Sequence, residues 1–381
     1  MPEGKSIENV VSEKNFAQLG FGLMRLPQLE EGGNDIEATK KLVDAFMDAG
    51  FTYFDTAPTY HGGTSEIAAK AALVDRYPRE SFQLATKMPA WAAKSLEEAQ
   101  AFFDRSLERT GAGYFDYYLL HQLTDEFAPL FEDYDLWNFA QQKKEEGLIK
   151  HLGFSFHDSA DVLERLLEEH PNMDFVQLQI NYADWENDII DSRKCYEVAR
   201  AHGLPVVVME PVKGGSLVQL PPQVEEILRE QDPEASMASW ALRFCASLPG
   251  VIAVLSGMTT MDQMQDNLRT MKAARPLTGQ ESAAIERARA TLAAIPTVPC
   301  TDCRYCMKDC PQGIHIPIIM DSLDIMAKFG DMHRAKENYV WNANNEASKC
   351  IECGTCESLC PQHIDIINQL KRAVELFESQ E

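Results

Sequence analysis

The stretch IKHLGFSFHDSADVLERLLEEHPNMDFVQLQINY, residues 149–182, reads as a strand, a helix and a second strand. Its two ends, IKHLGFSF and DFVQLQINY, are short apolar runs of strand length. The middle, SADVLERLLEEHPNM, places its apolar residues at helical spacing and its charged residues between them. The stretch therefore predicts one strand–helix unit of a parallel sheet.

The same alternation continues on both sides of this stretch. The strand candidates are QLGFGLMRL, FTYFDTA, SFQLATKM, FDYYLLH, IKHLGFSF, DFVQLQINY, PVVVMEPV and VIAVLSG. Continuous apolar runs such as PVVVM and VIAVL are typical of strands that are buried on both faces. Eight units in about 270 residues favour a closed (β/α)8 TIM barrel over an open doubly wound sheet. The lack of a GxGxxG motif after the first strand points the same way.

Two cysteine quartets follow the predicted barrel, each with the spacing C-x2-C-x2-C-x3-C and a proline after the last cysteine. They are Cys300, Cys303, Cys306 and Cys310, and Cys350, Cys353, Cys356 and Cys360. This spacing is typical of two-cluster ferredoxins, in which the last cysteine of each motif ligates the other cluster. A structural zinc site normally uses two cysteine pairs that a long gap separates. The quartets therefore predict two 4Fe–4S clusters.

The sequence around the quartets sets the domain organisation. Residues 311–349, between the two motifs, have a helical pattern, and residues 276–294 resemble a connecting helix. We therefore expect an α/β protein: a TIM barrel over residues 1–275, then a smaller, mainly helical 4Fe–4S ferredoxin-like domain with its linker helix over residues 276–381.

Charge and composition limit the partners and the location. The chain has 381 residues and a formal net charge of −24, which argues against binding nucleic acid because the phosphates would be repelled. The first residues contain no apolar signal segment, and no apolar run is long enough to span a bilayer. We expect a cytoplasmic protein that does not contact the membrane.

Polar residues stand at the predicted ends of three neighbouring strands. Asp55 ends the second strand, Lys87 the third and His121 the fourth, while Tyr60 lies in the loop after Asp55. TIM barrels carry their chemistry at the C-terminal ends of the strands. A buried Lys87 and Asp55 would also pair for structural reasons alone. Trp91, just after Lys87, is placed either to contact a substrate or to pack.

The chain resembles the aldo-keto reductase family over roughly residues 15–275. The matching segments include FDTAPTYHGGTSE, ATK, LLH and ALRFCASLPGVIAVLSGM. The resemblance implies a catalytic tetrad of Asp55, Tyr60, Lys87 and His121. In this tetrad, Lys87 held by Asp55 would lower the pKa of Tyr60. Tyr60 would then protonate a carbonyl oxygen that His121 orients.

The resemblance also implies a nicotinamide dinucleotide at the barrel mouth. The cofactor-binding residues that it implies are Ser155, Gln177, Met209, Lys213, Gly214, Gly215, Leu217, Gly257, Gln263 and Asn267. Residues 213–217 would hold the pyrophosphate, although the same glycines would also suit an ordinary turn. Met209 stands where an aromatic ring usually stacks on the nicotinamide. Basic residues that usually clamp a 2′-phosphate are missing around residues 259–263. NADH, NADPH and a flavin therefore stay open.

Taken together, these features predict an oxidoreductase that acts on a small-molecule carbonyl or alcohol. Its two 4Fe–4S clusters would carry electrons to or from the barrel site, with ferredoxin or another electron carrier as partner. Two alternatives stay open, because a hydride carries two electrons whereas each cluster takes one. One is an electron-transfer protein whose barrel holds a flavin or other redox carrier, and the other is a non-catalytic redox-sensing subunit.

Overall fold

A computed structural model describes residues 17–187, 190–343 and 346–379. Eight parallel strands form a closed barrel, in which each strand pairs with the next and β1 pairs with β8. The strands are β1 (Gln18–Gly22), β2 (Tyr53–Asp55), β3 (Gln83–Met88), β4 (Phe115–Leu123), β5 (Ile149–Phe156), β6 (Phe175–Gln179), β7 (Val206–Met209) and β8 (Val251–Gly257). The predicted (β/α)8 barrel is confirmed.

Helices connect the strands, as the sequence pattern predicts. They are α1 (Ile36–Asp48), α2 (Ser65–Ala69), α3 (Leu96–Thr110), α4 (Ala128–Asp133), α5 (Leu136–Glu145), α6 (Ala160–Glu169), α7 (Ser192–Ala201), α8 (Pro222–Gln231), α9 (Met237–Ala246) and α10 (Met261–Lys272). Helix α3 shows how the sequence sets their ends. Ser95 accepts a hydrogen bond from the Glu98 amide at its start, and Gly111 ends it in the left-handed conformation (φ 65°).

The barrel interior is filled by side chains that point inward from alternate strand positions. Part of this core consists of Tyr53, Ala85, Tyr117, Leu119, Phe175, Val207, Ala253 and Leu255. Such layers leave a solid core rather than a pore. Polar side chains therefore become accessible only at the ends of the strands.

The chain divides into two compact units. The first consists of the residues up to Pro211 together with Ala238–Thr278, and the second of Val212–Met237 together with the residues from Gly279 onward. This division assigns the segment after β7 to the second unit. The predicted domain boundary at residues 275 and 276 stays a prediction.

The second unit is helical. Its remaining helices are α11 (Gly279–Ala293), α12 (Tyr305–Lys308), α13 (Ile316–Phe329), α14 (Met332–Asn342), α15 (Thr355–Leu359) and α16 (Ile366–Ala373). Helix α11 packs on α8, and α13 packs on α14 and α16. The predicted connecting helix and the predicted helical segment between the cysteine motifs are therefore both present. Within the described residues, no helix combines the length and the apolar character needed to cross a bilayer.

Candidate functional site

An ion pair is buried at the C-terminal ends of β2 and β3. Lys87 is 1% exposed and Asp55 is 3% exposed, and the Lys87 Nζ lies 2.5 Å from the Asp55 Oδ1. The same nitrogen donates to the Thr56 carbonyl at 2.9 Å. Burial alone would lower the pKa of Lys87, but Asp55, together with Tyr60, raises it above its ordinary value. Lys87 is therefore a fixed positive charge at neutral pH.

Tyr60 lies over this ion pair. The Lys87 Nζ is 4.8 Å from the centre of the Tyr60 ring, and the ring meets that of His121 edge to face at 6.1 Å. Burial raises the pKa of Tyr60, and the nearby Lys87 charge only partly opposes this. The expectation of a lowered pKa is therefore wrong: Lys87 does pull the pKa of Tyr60 down, but desolvation outweighs that pull. The phenol keeps its proton at neutral pH.

His121 was predicted to end the fourth strand, but β4 continues for two more residues, and His121 lies near its C-terminal end as a neutral imidazole. It is 9% exposed, and burial, followed by the charges of Lys87 and His157, holds its pKa well below the ordinary value. Among the described residues, its Nδ1 atom has no hydrogen-bond partner. The Trp91 ring lies 6.2 Å from the His121 ring. The structure thus brings together all four predicted catalytic residues, with Trp91 at their edge.

His157 is a further residue of this site that the sequence reasoning missed. It directly follows β5, and its amide donates to the Leu123 carbonyl on β4 at 3.0 Å. Desolvation by the neighbouring protein, and then the charge of Lys87, lower the pKa of His157, although the residue is still exposed to solvent in part. Its place one residue beyond a strand end, in the segment GFSFH, was the signal that could have identified it.

Ser155 and Gln177, the residues expected to bind a carboxamide, are buried opposite each other on β5 and β6. The Gln177 side chain donates to the Asp55 Oδ2 at 3.2 Å, and the Ser155 hydroxyl accepts from the Gln122 amide at 2.8 Å. Gln177 therefore joins the predicted cofactor residues to the buried ion pair. Met209, at the end of β7, packs on the barrel core.

The segment Lys213–Val218 forms a glycine-dependent turn. Lys213, Gly214 and Gly215 have positive φ angles of 51°, 65° and 112°. The Gly215 and Leu217 amides both donate to the Val212 carbonyl, at 3.0 and 3.1 Å. The Leu217 side chain is buried. Turns of this kind can form a backbone cradle that binds anions, although the Gly215 and Leu217 amides here already bond to Val212.

The residues expected at an adenosine end lie after β8. Gly257 is the last residue of β8, and the buried Asn267 donates to the Ser256 hydroxyl at 2.9 Å. The Gln263 side chain accepts from the Thr260 amide at 3.2 Å and completes a capping box at the start of α10. Gln263 therefore has a structural role of its own in addition to the predicted one.

The eight clustered cysteines line two separate cavities in the second unit. The first cavity, of about 340 Å³ including space open to solvent, is lined by Cys300, Cys303, Cys306 and Cys360. The second, of about 330 Å³, is lined by Cys310, Cys350, Cys353 and Cys356. Each cavity thus combines three cysteines of one motif with the last cysteine of the other.

This arrangement suits a cluster better than a single ion. Four thiols around a cavity match the corners of a cubane, and the exchange of the last cysteine matches the two-cluster pattern. The donor sets therefore fit 4Fe–4S clusters.

Comparisons with known proteins agree with both parts of the chain. Residues 18–290 match the model of the aldo/keto reductase family, and residues 299–365 match that of a 4Fe-4S dicluster domain. Among curated proteins, an uncharacterized oxidoreductase, YqkF, of Bacillus subtilis is 23% identical over 72% of this chain and 93% of its own length. The NADH-specific methylglyoxal reductase of Escherichia coli is 24% identical over 70% of this chain and 93% of its own length.

Solved structures resemble the barrel. The holo form of aldo-keto reductase AKR11C1 from Bacillus halodurans has a TM-score of 0.59 and 25% identity, and covers 71% of this chain and 91% of its own. An aldo-keto reductase from Klebsiella pneumoniae in complex with NADPH has a TM-score of 0.57 and 23% identity, and covers 71% of this chain and 89% of its own. With a family model that matches well over half of its length, the chain belongs to the aldo/keto reductase family, a family of oxidoreductases, and carries a 4Fe–4S domain behind the barrel.

Proposed function

We propose that this protein interconverts a small-molecule carbonyl compound and its alcohol with NAD(P)H, and that two 4Fe–4S clusters carry electrons to or from the barrel site. The observation that carries the first part is the buried Asp55–Lys87 pair with Tyr60 and His121 beside it. A structural role alone could explain the ion pair, but it would not explain why Tyr60 and His121 lie beside that pair at the C-terminal ends of the strands, where TIM barrels carry their chemistry.

Each member of the tetrad has a role that follows from its surroundings. Tyr60 holds a proton at neutral pH and gives it to the carbonyl oxygen. Lys87, kept charged by Asp55, stabilises the phenolate that this transfer leaves behind. His121 is neutral, so it donates a hydrogen bond to the same oxygen without adding a charge. Bound NAD(P)H would supply the hydride.

Several residues would hold the dinucleotide. Ser155 and Gln177 would bind the carboxamide, Met209 would lie against the ring, and the cradle of Lys213, Gly214, Gly215 and Leu217 would hold the pyrophosphate. Gly257, Gln263 and Asn267 would contact the adenosine end. The NADPH complex of the Klebsiella relative and the NADH specificity of the Escherichia coli relative support this class of cofactor.

The two cysteine-lined cavities would hold one 4Fe–4S cluster each. The support is the four-and-four division of the cysteines, together with the matching dicluster model. When bound, each cluster would store one electron at a time. Ferredoxin or another small electron carrier is the partner we propose. A reducing cytoplasm is the location we propose, since exposed clusters are readily oxidised.

Met209 favours a second function. Its position usually carries an aromatic ring, and the change favours a barrel that holds a flavin or other redox carrier in an electron-transfer protein. A yellow chromophore, distinct from the clusters and released by acid, would identify such a carrier. The complete tetrad counts against the other alternative, a redox-sensing subunit without catalysis.

Replacing Tyr60 by Phe tests the proposed function. Tyr60→Phe should reduce the rate of methylglyoxal reduction at least 100-fold, because general acid catalysis typically contributes that much. The iron content and the affinity for NADPH should stay close to wild type, since the variant removes only the hydroxyl. Wild-type activity in this variant would show that another group supplies the proton.

A further inference from the structure

We propose that the Thr355 hydroxyl, through a hydrogen bond to the Cys353 sulfur, raises the reduction potential of the cluster in the second cavity, and that Tyr305 cannot supply such a bond at the first cavity. The inference rests on the proposed function, because it requires both clusters. It gives the two cavities different affinities for an electron, although the same cysteine spacing builds both. All the residues involved belong to the second compact unit.

The two cysteine motifs fold in the same way. Three pairs of residues at corresponding positions have positive φ angles: Asp302 and Glu352 (48° and 57°), Arg304 and Gly354 (60° and 78°), and Gly313 and His363 (64° and 52°). The second cysteine of each motif is exposed and the third is buried. Tyr305 and Thr355 correspond to each other, and each begins the short helix of its motif, α12 or α15. The backbone and the exposure of the cysteines therefore do not distinguish the two cavities.

The side chain that begins each short helix does distinguish them. The Cys353 thiol donates to the Thr355 Oγ1 at 3.5 Å. A cysteine that ligates iron is a thiolate without a proton, so the hydroxyl then becomes the donor to the sulfur. Tyr305 is 56% exposed and carries its hydroxyl at the far end of a ring, beyond the local contact that Thr355 makes. The two motifs thus differ by one hydroxyl beside an exposed cysteine.

A hydrogen bond to a ligating sulfur changes how readily the cluster accepts an electron. Reduction takes one electron from a one-electron donor and makes the cluster more negative by one charge, with no bond to the protein formed or broken. A hydroxyl dipole aimed at the sulfur stabilises this added charge, and hydrogen bonds to the sulfurs are among the features that set the potential. Thr355 acts on the cluster of the second cavity because Cys353 lines that cavity.

Nearby charges do not produce the same distinction. An ion pair lies beside each motif: Arg304 bonds to Asp302 at 3.2 Å, and Lys371 bonds to Glu352 at 2.8 Å. Glu357 in the second motif has an apolar counterpart in the first. A carboxylate beside a cluster disfavours the added electron, so Glu357 acts against the hydroxyl and cannot stand in for it.

The test is EPR of the full-length, cluster-containing protein, reduced stepwise with dithionite at controlled potentials. Thr355→Val keeps the shape of the side chain and removes the hydroxyl, so one of the two cluster transitions should move to lower potential. We expect about a tenfold change in the reduction equilibrium, which is about 59 mV for one electron. Thr355→Ser keeps a hydroxyl and should keep the potential. Ser358→Ala is the matched control, because the Ser358 hydroxyl lies on the same helix but donates to the Thr355 carbonyl at 2.8 Å.

Each outcome bears on the proposal. A shift of one transition in Thr355→Val, with Thr355→Ser and Ser358→Ala close to wild type, supports it. Wild-type potentials in Thr355→Val, equal shifts of both transitions, or the same shift in either other variant overturn it while leaving the two clusters in place. If Thr355→Val loses iron, Tyr305→Thr decides: it adds a hydroxyl beside Cys303 and should raise one transition, and unchanged potentials overturn the proposal. If the fully reduced wild type holds fewer than two clusters by iron content and spin count, the two-cluster function fails and the inference fails with it.

Discussion

Replacing Asp55 by Asn tests whether the buried ion pair is the structural base of the site. Asn has nearly the same shape, so packing and the contact from Gln177 can persist. The change leaves the Lys87 ammonium, 1% exposed, without its counter-charge. Removing one partner of a buried pair typically costs about 3–5 kcal/mol. We therefore expect Asp55→Asn to lower the free energy of unfolding of the barrel by about that amount at pH 7.

The cost should depend on pH, and its sign follows from Lys87. In the wild type, Asp55 raises the pKa of Lys87, so the pair stabilises the fold below the ordinary pKa of 10.5 and is lost only above the raised value. In the variant, only Tyr60 is left to oppose the effect of burial, and we expect burial to prevail and to lower the pKa of Lys87. Lys87 can then lose its proton on folding, at a cost of roughly 5 kcal/mol at pH 7 that falls by about 1.4 kcal/mol per pH unit.

The assay is urea unfolding at pH 7, 8 and 9, with far-UV circular dichroism for the whole chain and cluster absorbance for the second unit. Asp174→Asn is the matched control, since Asp174 pairs with Lys144 at 2.6 Å but both side chains are about a quarter exposed. Water can solvate Lys144 there, so we expect a loss of about 1 kcal/mol or less that does not change with pH.

Two results would refute this reasoning. A deficit in Asp55→Asn below about 1 kcal/mol at pH 7 would mean that the pair is not effectively desolvated. A large deficit that stays constant from pH 7 to 9 would mean that Lys87 remains protonated without Asp55. The first result would mean that a desolvated ion pair is not the base of the site, and the second would mean that Asp55 is not what keeps Lys87 charged.

Two further predictions concern the clusters and the proton donor. Cys303 and Cys360 line the same cavity, so Cys303→Ala/Cys360→Ala should keep about one fully ligated cluster by EPR spin count. Cys353 and Cys360 belong to one motif but line different cavities, so Cys353→Ala/Cys360→Ala should keep none. The opposite pair of results would show that each motif binds its own cluster. If the proposed carbonyl reduction takes place, with methylglyoxal as the test substrate, its kcat/KM should be level from pH 6 to 9, because His121 is already neutral and the raised pKa of Tyr60 keeps the donor protonated. A limb near pH 6.5 that His121→Gln removes would contradict the second prediction.

The barrel could be predicted from the sequence because its strands have a local signal. Strands β5 and β8 have the bounds that their apolar runs predict, since each run ends where polar residues or glycine begin. Strands β2 and β7 are shorter than predicted, at three and four residues. Their predicted C-terminal residues lie in the loops that carry the site, where the backbone leaves the sheet to present side chains. The pattern of apolar residues in the sequence does not predict where the backbone leaves the sheet.

The missing parts of the site depend on distant contacts. The pKa of Tyr60 rises because of burial, which the tertiary structure alone reveals. Gln263 matches a position that the family resemblance assigns to the adenosine end of the cofactor, and it also caps a helix. Only the hydrogen bonds at Thr260 show this second role. Motif reasoning therefore finds residues within a motif but not the partners that hold them.

The two parts of the chain pose a problem of electron number. A hydride transfer moves two electrons together, whereas one 4Fe–4S cluster accepts one. If both proposed clusters form, they can together hold the two electrons of one hydride, which a single cluster cannot. The paired cavities, each completed by a cysteine of the other motif, make the two sites interdependent, so that neither is complete without both motifs. The electron count thus gives a physical reason why a barrel built for hydride chemistry would be fused to a pair of clusters, and why that pair would be built as one unit.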